Sequence, residues 1–297
     1  MRVDRIHSSE SEVFIKNQRL TGVQSFSINE TKDFAEIQDL GSYSVTNRIL
    51  NPNQKINVSL DFILIDNNSP INANRFVCDP FYQFQTSGLL STETFNLSFR
   101  NFAGENIVSG AYLTSYSING SLDNFVVGSV EYEANDISYN TGGRLTRNNL
   151  NNDIACAFRP HRIMVSGNFG ESISSNNFNI QSFELKVPIK RKAITILGNA
   201  SSQFRYPELP INGTLNFSVM KNQITGIDLS SIILNKGSFT INLNQNLSNP
   251  ILRYIVSGCS LTSISENSQL DDNATIDFNY EFSLNKNSIS RILMPST

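Results

Sequence analysis

Two histidines, His7 and His161, and three cysteines, Cys78, Cys156 and Cys259, are the side chains of this 297-residue sequence best suited to catalysis or metal binding. Their spacing spells none of the arrangements such chemistry needs. His7 lies in a polar N-terminal arm and His161 directly follows Pro160. Neither belongs to an HExxH pair, which sets two imidazoles on one helical face, nor to a serine elbow. The cysteines are odd in number, sparse and without a CxxC pair, so idle reduced thiols are expected rather than a disulfide framework or a zinc site. The acidic run "QLDDNATID" at 269–277 lacks the spaced ligands and closing glutamate of a calcium loop. "NTGGR" at 140–144 carries no Walker pattern and reads as linker rather than phosphate cradle. No enzyme, metal centre or bound cofactor is expected.

The bulk numbers point the same way. Hydrophobic residues make up 39% of the chain and charged residues 16%, with net charge −3 and a pI near 5.5. Nothing is basic enough to clamp a phosphate backbone. The first residues, "MRVDRIHSSESEVF", hold no apolar core of signal-peptide length, and no run approaches a membrane helix. Folding in cytoplasm, without a membrane, is the expectation. The Asn-x-Ser triplets at Asn57, Asn96 and Asn216 then follow from an Asn-rich composition.

What the sequence does contain is a repeat. Between Val108–Asp123 and Val256–Asp271, ten of sixteen positions are identical, at an offset of 148. "GVQSFSI" at 22–28 matches "NIQSFEL" at 179–185, and "KINVSLDFIL" at 55–64 matches "NGTLNFSVMK" at 212–221, both at an offset of 157. "FNLSFR" at 95–100 parallels "FTINLN" at 239–244, and "VEYEA" at 130–134 falls on "FNYEF" at 278–282. Order is kept throughout, so the changing offset marks loop insertions. The largest is at 67–90. The Gly- and Asn-rich joint at 140–153 divides the chain into copy one (1–143), a linker (144–153) and copy two (154–297).

Each copy reads as antiparallel β. Ile56, Val58, Leu60, Phe62 and Leu64 alternate with Asn57, Ser59 and Asp61; Phe95, Leu97 and Phe99 repeat the pattern, as do Phe239, Ile241 and Leu243. Asn119-Gly120 offers a turn between two strands. One short helix per copy is expected, best placed over "GIDLSSIIL" at 226–234 with Thr225 or Asp228 as cap. The fold class is therefore mainly β: two tandem antiparallel β-sandwiches or barrels of roughly seven strands, each with a short helix.

"VFIKNQRLTGVQSFSI", a charged hairpin, "LGS" and the later "LTSYSINGSLDN" together resemble the tube proteins of tailed bacteriophages, and the second copy repeats both ends of that pattern. The resemblance implies a virion protein of the phage tail. Six similar domains would form each ring, so a two-domain chain would act as a pseudo-sixfold trimer. Stacked rings would make the tube through which DNA is ejected. The implied partners are further copies of the chain, other tail proteins at the tube ends, and phage DNA passing without tight binding. A neutral or mildly acidic wall suits that passage, and the polar strand faces at Asn57, Ser59, Asp61 and Thr214, Asn216, Ser218 are candidates for it.

Corresponding hairpins carry opposite charge. After the first match come Glu30, Asp33, Glu36 and Asp39 with Lys32; after the second come Lys186, Lys190, Arg191 and Lys192 with Glu184. These eight residues are the candidate contacts between domains or between rings, since opposite signs favour unlike neighbours. Two other readings stand beside the tube. One is a baseplate hub, distal-tail or neck ring of the same fold. The other is a paired β-sandwich adhesin for glycans, for which "DPFYQF" at 79–84 is the one aromatic cluster.

Overall fold

Period-two alternation builds the molecule. Ile56, Val58, Leu60, Phe62 and Leu64 are each no more than 2% exposed, whereas Lys55, Asn57 and Asp61 between them face outward. One apolar and one polar face per strand is the condition for a sheet covered on one side only. The structure is a computed structural model that describes residues 11–15, 18–20, 22–32, 34–37, 40, 43–45, 47–50, 55–67, 94–101, 104–142, 155–157, 163–167, 180–194, 196, 204–220, 237–246, 249–267, 274–284 and 289–293. The linker at 144–153 lies outside them. So do the expected helix at 226–234, the insertion at 67–90 beyond Asn67, His7, His161 and Cys78. The chain is mainly β and antiparallel, with no helix among the described residues.

The first half contributes β1 (Glu12–Ile15), β2 (Gln18–Leu20), β3 (Val23–Thr31), β4 (Phe34–Ile37), β5 (Asn47–Leu50), β6 (Lys55–Ile63), β7 (Ile65–Asn67), β8 (Phe95–Arg100), β9 (Glu105–Ser121), β10 (Asn124–Ala134) and β11 (Asp136–Asn140). The second half contributes β12 (Ala155–Ala157), β13 (Ile163–Gly167), β14 (Ile180–Pro188), β15 (Arg191–Ile194), β16 (Phe204–Pro207), β17 (Asn212–Met220), β18 (Gly237–Asn246), β19 (Asn249–Asn267), β20 (Thr275–Ser283) and β21 (Ile289–Leu293). One hydrogen-bonded path runs β13-β18-β19-β20-β17-β14-β9-β10-β6-β3. Against the first half of β9 lie β8 and β11, and β1 joins β8 to β2. β21 lies beside the first half of β19. Hairpins β4-β5 and β15-β16 stand apart as two-stranded ribbons, and β12 pairs with β7 across the halves.

β9 and β19 are 17 and 19 residues long, and each belongs to two layers. Both change partners at a glycine with positive φ, Gly110 (65°) and Gly258 (75°). The register of their β8 and β18 ladders shifts across that residue. A left-handed bulge residue bends a strand at small cost only when it is glycine. The layers close on aromatic side chains: Phe26 stacks on Phe99 at 4.8 Å, and Phe239 meets Phe217 at 5.0 Å and Tyr280 at 4.7 Å. Buried residues of both halves form one continuous core. Cys259 sits in it, fully buried, and burial pushes its thiol up to about 12.

Strand registers in the two halves can be compared directly. β3·β6 pairs Phe26 with Leu60 and β14·β17 pairs Phe183 with Phe217, so both strands shift by 157 (183 − 26 and 217 − 60). β9·β10 pairs Tyr116 with Val130 and β19·β20 pairs Ile264 with Phe278, a shift of 148 on each strand (264 − 116 and 278 − 130). Even the bulge recurs, beside Glu131/Tyr132 and beside Asn279/Tyr280. One sequence alignment is corrected. Leu97 pairs with Val108 and Phe239 with Val256, so β18 follows β8 by 142 (239 − 97), two residues from the sequence match at 144. A two-residue slip keeps every side chain on its face, which is why alternation does not detect it.

Asn119-Gly120 is not the turn expected of it. β9 runs through to Ser121, and the chain turns at Leu122-Asp123. Gly120 is there because Phe183 lies across it: a Cβ at this position would sit 2.6 Å from the ring. Gly128 under Phe62 and Gly213 under Phe282 repeat the device. Gly120→Val is expected to cost about 1–3 kcal/mol in urea unfolding, the usual penalty of overpacking.

A polar cluster lies in the outer layer. Glu105 accepts from Ser98 Oγ and, at 2.7 Å, from Arg100 Nε, while the Arg100 guanidinium stacks 4.3 Å over Phe14. Burial alone would raise the Glu105 carboxyl, but the two bonds and the Arg100 charge outweigh it and hold it below its ordinary value. A depressed carboxyl stabilises the fold above the ordinary carboxylate range and loses that contribution as pH falls through its folded value. Glu105→Gln is therefore expected to lower stability at pH 7 by about 1–3 kcal/mol. It should also flatten the decline between about pH 5 and 3, read from urea midpoints.

Candidate assembly interface

The halves join by strand pairing. β14 pairs with the second part of β9 from Ser182↔Ser121 to Pro188↔Ser115, extended by Leu122 N–H to Gln181 O at 3.0 Å and Ile189 N–H to Thr114 O at 2.7 Å. This junction fuses two four-stranded sheets into one of eight: β19-β20-β17-β14-β9-β10-β6-β3. At the seam Phe183, Leu185 and Val187 of β14 and Tyr116 and Ile118 of β9 are all buried.

Hairpin β15-β16 clamps the seam. Arg205 is 6% exposed at its side chain; its guanidinium pairs with Glu133 and donates to Asn135 Oδ1 at 3.2 Å, both on the first half. Lys55 stands 3.8 Å from the same Glu133 carboxylate. Arg191 donates to the Leu113 carbonyl at 2.8 Å and to the Arg205 carbonyl at 3.1 Å, and lies over the Tyr112 ring at 5.4 Å. Burial holds the Arg191 guanidinium below its ordinary value and pushes the Tyr112 phenol up. A cleft of about 650 Å³ opens beside the clamp, where Lys55, Lys190 and Arg191 face Glu131, Glu133 and Glu208. Its charges balance, so it selects neither anion nor cation.

At the ends of the same sheet, the strands that correspond to β14 and β9 have only one neighbour each among the described residues. β3 pairs with β6 alone, and the second part of β19, Ser260–Asn267, pairs with β20 alone. Phe26 of β3 is 37% exposed, although Phe183, at the same register position, is 3% exposed. Leu261 and Ile264 of β19 are half-buried, whereas their counterparts Leu113 and Tyr116 are buried. Natural edges are blunted by proline, lysine or inward charge. Val23–Thr31 contains one charged residue, Glu30, and Ser260–Asn267 one, Glu266.

The sheet face opposite the core is a lattice of small polar groups. Ser25 donates to Asp61 at 2.6 Å, Ser27 meets Ser59 at 2.8 Å, Asn216 donates to Glu184 at 3.3 Å, and Asn279 to Ser263 at 2.8 Å. Asn57, Ser59 and Asp61 share this face with Thr214, Asn216 and Ser218, as alternation required.

The eight charged candidates are placed as follows. Glu30 pairs with Lys32 at 2.9 Å, and Glu36 with Arg48 at 2.9 Å on the first hairpin. Lys186, Lys190 and Lys192 are exposed, and Arg191 is turned inward to the seam. Asp33 and Asp39 lie outside the described residues. Among the described residues, no ion pair joins the acidic candidates to the basic ones. What sequence reasoning missed is Arg205 and Glu133. Their signal was available: Arg48 and Arg205 correspond at 157, and Glu133 and Glu281 at 148.

Truncating the buried member of the clamp tests its weight. Arg205→Ala leaves Glu133 to Lys55 alone, and is expected to cost about 3 kcal/mol, near the lower end for a broken buried pair. Arg205→Lys, which keeps charge but loses the fork, should recover part of that in the same denaturation experiment.

No protein-family model matches the chain, and no curated protein matches it.

Proposed function

We propose that the chain is a tail-tube subunit of a tailed bacteriophage, made of two tandem copies of one β domain, that closes head-to-tail into rings and stacks into a DNA conduit. The observation that carries this reading is the seam. A β14-type strand meets a β9-type strand inside the chain, and the same two strand types, β3 and β19, stand one-sided among the described residues at the ends of the eight-stranded sheet. A heterologous contact that repeats one rotation closes a ring when the rotation divides a full turn. The parallel registers of the two halves support reading them as copies, and the copies make β3 of one chain the natural partner of β19 in the next.

Three chains, the number implied by the resemblance to tube proteins, would place 24 strands (3 × 8) in one barrel. At ordinary strand spacing and tilt its backbone would be about 45–50 Å across, wide enough to stay open. The core lies on one side of the sheet, so the polar face is the one left for the lumen. Its short, mutually hydrogen-bonded Ser, Thr and Asn side chains offer few cations to phosphates, and Asp61, Glu131, Glu184 and Asp277 outnumber Lys55 and Lys186. That composition suits sliding rather than binding.

Stacking distinguishes a tube from a single baseplate, distal-tail or neck ring. Both hairpins present apolar side chains to solvent away from the seam: Ile37 on one, Ile194 and Tyr206 on the other, with Ile37 and Ile194 at corresponding positions. Such projections favour contact between rings.

Negative-stain electron microscopy and sedimentation of the purified chain test the reading. Rings of three chains and rods built from them are expected. Phe26→Asp should leave a folded monomer, by circular dichroism, that no longer assembles. Wild-type protein that stays monomeric at every concentration overturns the proposal; rings that never stack assign the chain to a single-ring role.

A further inference from the structure

We infer that Arg48 of one chain latches onto Glu281 of the next, as Arg205 latches onto Glu133 within the chain. The inference rests on the ring reading and specifies its contact. In the first hairpin Arg48 stands opposite Glu36; in the second Arg205 stands opposite Ala193, and both residues of each pair correspond at 157. On the other side of the seam, Glu133 pairs in register with Asn57 of β6, and Glu281 with Thr214 of β17, the residue 157 positions after Asn57. Every backbone position that brings Arg205 to Glu133 therefore recurs at Arg48 and Glu281.

The charges recur as well, but their surroundings differ in the isolated chain. Arg205 is 6% exposed and paired across the seam, whereas Arg48 is 65% exposed and its guanidinium pairs, among the described residues, with Glu36, itself 53% exposed. Glu281 is exposed and has no ion-pair partner among the described residues. An exposed pair such as Arg48–Glu36 is weak and readily exchanged. Applying the seam's register to the free edges sets Ser27 opposite Asn267, Asn29 opposite Ser265 and Thr31 opposite Ser263 of the neighbour, since 157 is subtracted on one strand and 148 added on the other. This pairing carries the first hairpin over Leu261 and Glu281. Arg48 then trades Glu36 for Glu281, and Ser283, which replaces Asn135, offers a hydroxyl to the same guanidinium.

The two seams are not identical. Arg191 and Tyr112, which pack by cation–π contact inside the chain, correspond to Phe34 and Ser260. The contact between chains keeps the arginine latch and exchanges the second arginine for an apolar side chain, 53% exposed in the free subunit.

A charge-swap cycle tests the latch. Arg48→Glu and Glu281→Arg are each expected to raise the critical concentration for ring formation about tenfold or more, and the double swap to restore most of it, since close interfacial pairs couple strongly. Both side chains are exposed in the monomer, so circular dichroism should not change; Arg48→Gln and Glu281→Gln give the same direction without reversed charge. Rings that form equally in wild type, single and double variants overturn the latch and leave the ring standing. Singles that fail with no rescue in the double also overturn it. Wild-type protein that forms no ring overturns the ring and the latch together.

Discussion

A strand with a neighbour on one side only is half of a hydrogen-bonded structure, and among the described residues the eight-stranded sheet that crosses the seam ends in two such strands. Along β3 and along the second part of β19, backbone N–H and C=O groups pair with one strand only among the described residues. The rest of the design follows from how the same kinds of strand are completed at the interior seam, where β14 and β9 pair and bury Phe183, Leu185 and Tyr116. Side chains at these two edges are more open than their counterparts at the seam: Phe26 is exposed and Leu261 and Ile264 are half-buried, whereas Phe183, Leu113 and Tyr116 are buried.

Much of the scaffold was legible in the residues. Strict alternation at 55–64 assigned the buried and polar faces without error, because the pleat allows a side chain two directions only. The match at 108–123 and 256–271 falls on the two long strands, each with a glycine of positive φ at the matching position. Two things were not legible. Gly120 looks like a turn residue in isolation, and its reason is a ring from a strand 63 positions later (183 − 120). Phe26 and Phe183 sit in nearly the same local sequence, so no local pattern says that one is covered and the other open. That difference is set by strand order, which is a property of the whole sheet.

The charged contacts show a third limit. Summing charge over a segment gave an acidic and a basic hairpin, and of the basic candidates Lys186, Lys190 and Lys192 stay exposed while Arg191 turns to the seam. Position carried more information than sign. The two arginines at 48 and 205 and the two glutamates at 133 and 281 hold equivalent register positions, and only the seam reveals what one pair does. A guanidinium taken out of water needs a carboxylate at fixed geometry, so its location is set by a neighbour's backbone rather than by average charge.

The seam also changes the thermodynamics of closing a ring. Pairing of β12 with β7 adds a second tie between the halves, beside the clamp of Arg191 and Arg205. In the proposed ring, every other junction would therefore be made before two chains collide, as an intramolecular contact rather than an encounter between free domains. Translational and rotational freedom is surrendered only at the remaining contacts. In such a ring the curvature would be inherited from folding, and only the remaining edge-to-edge contacts would be left to form.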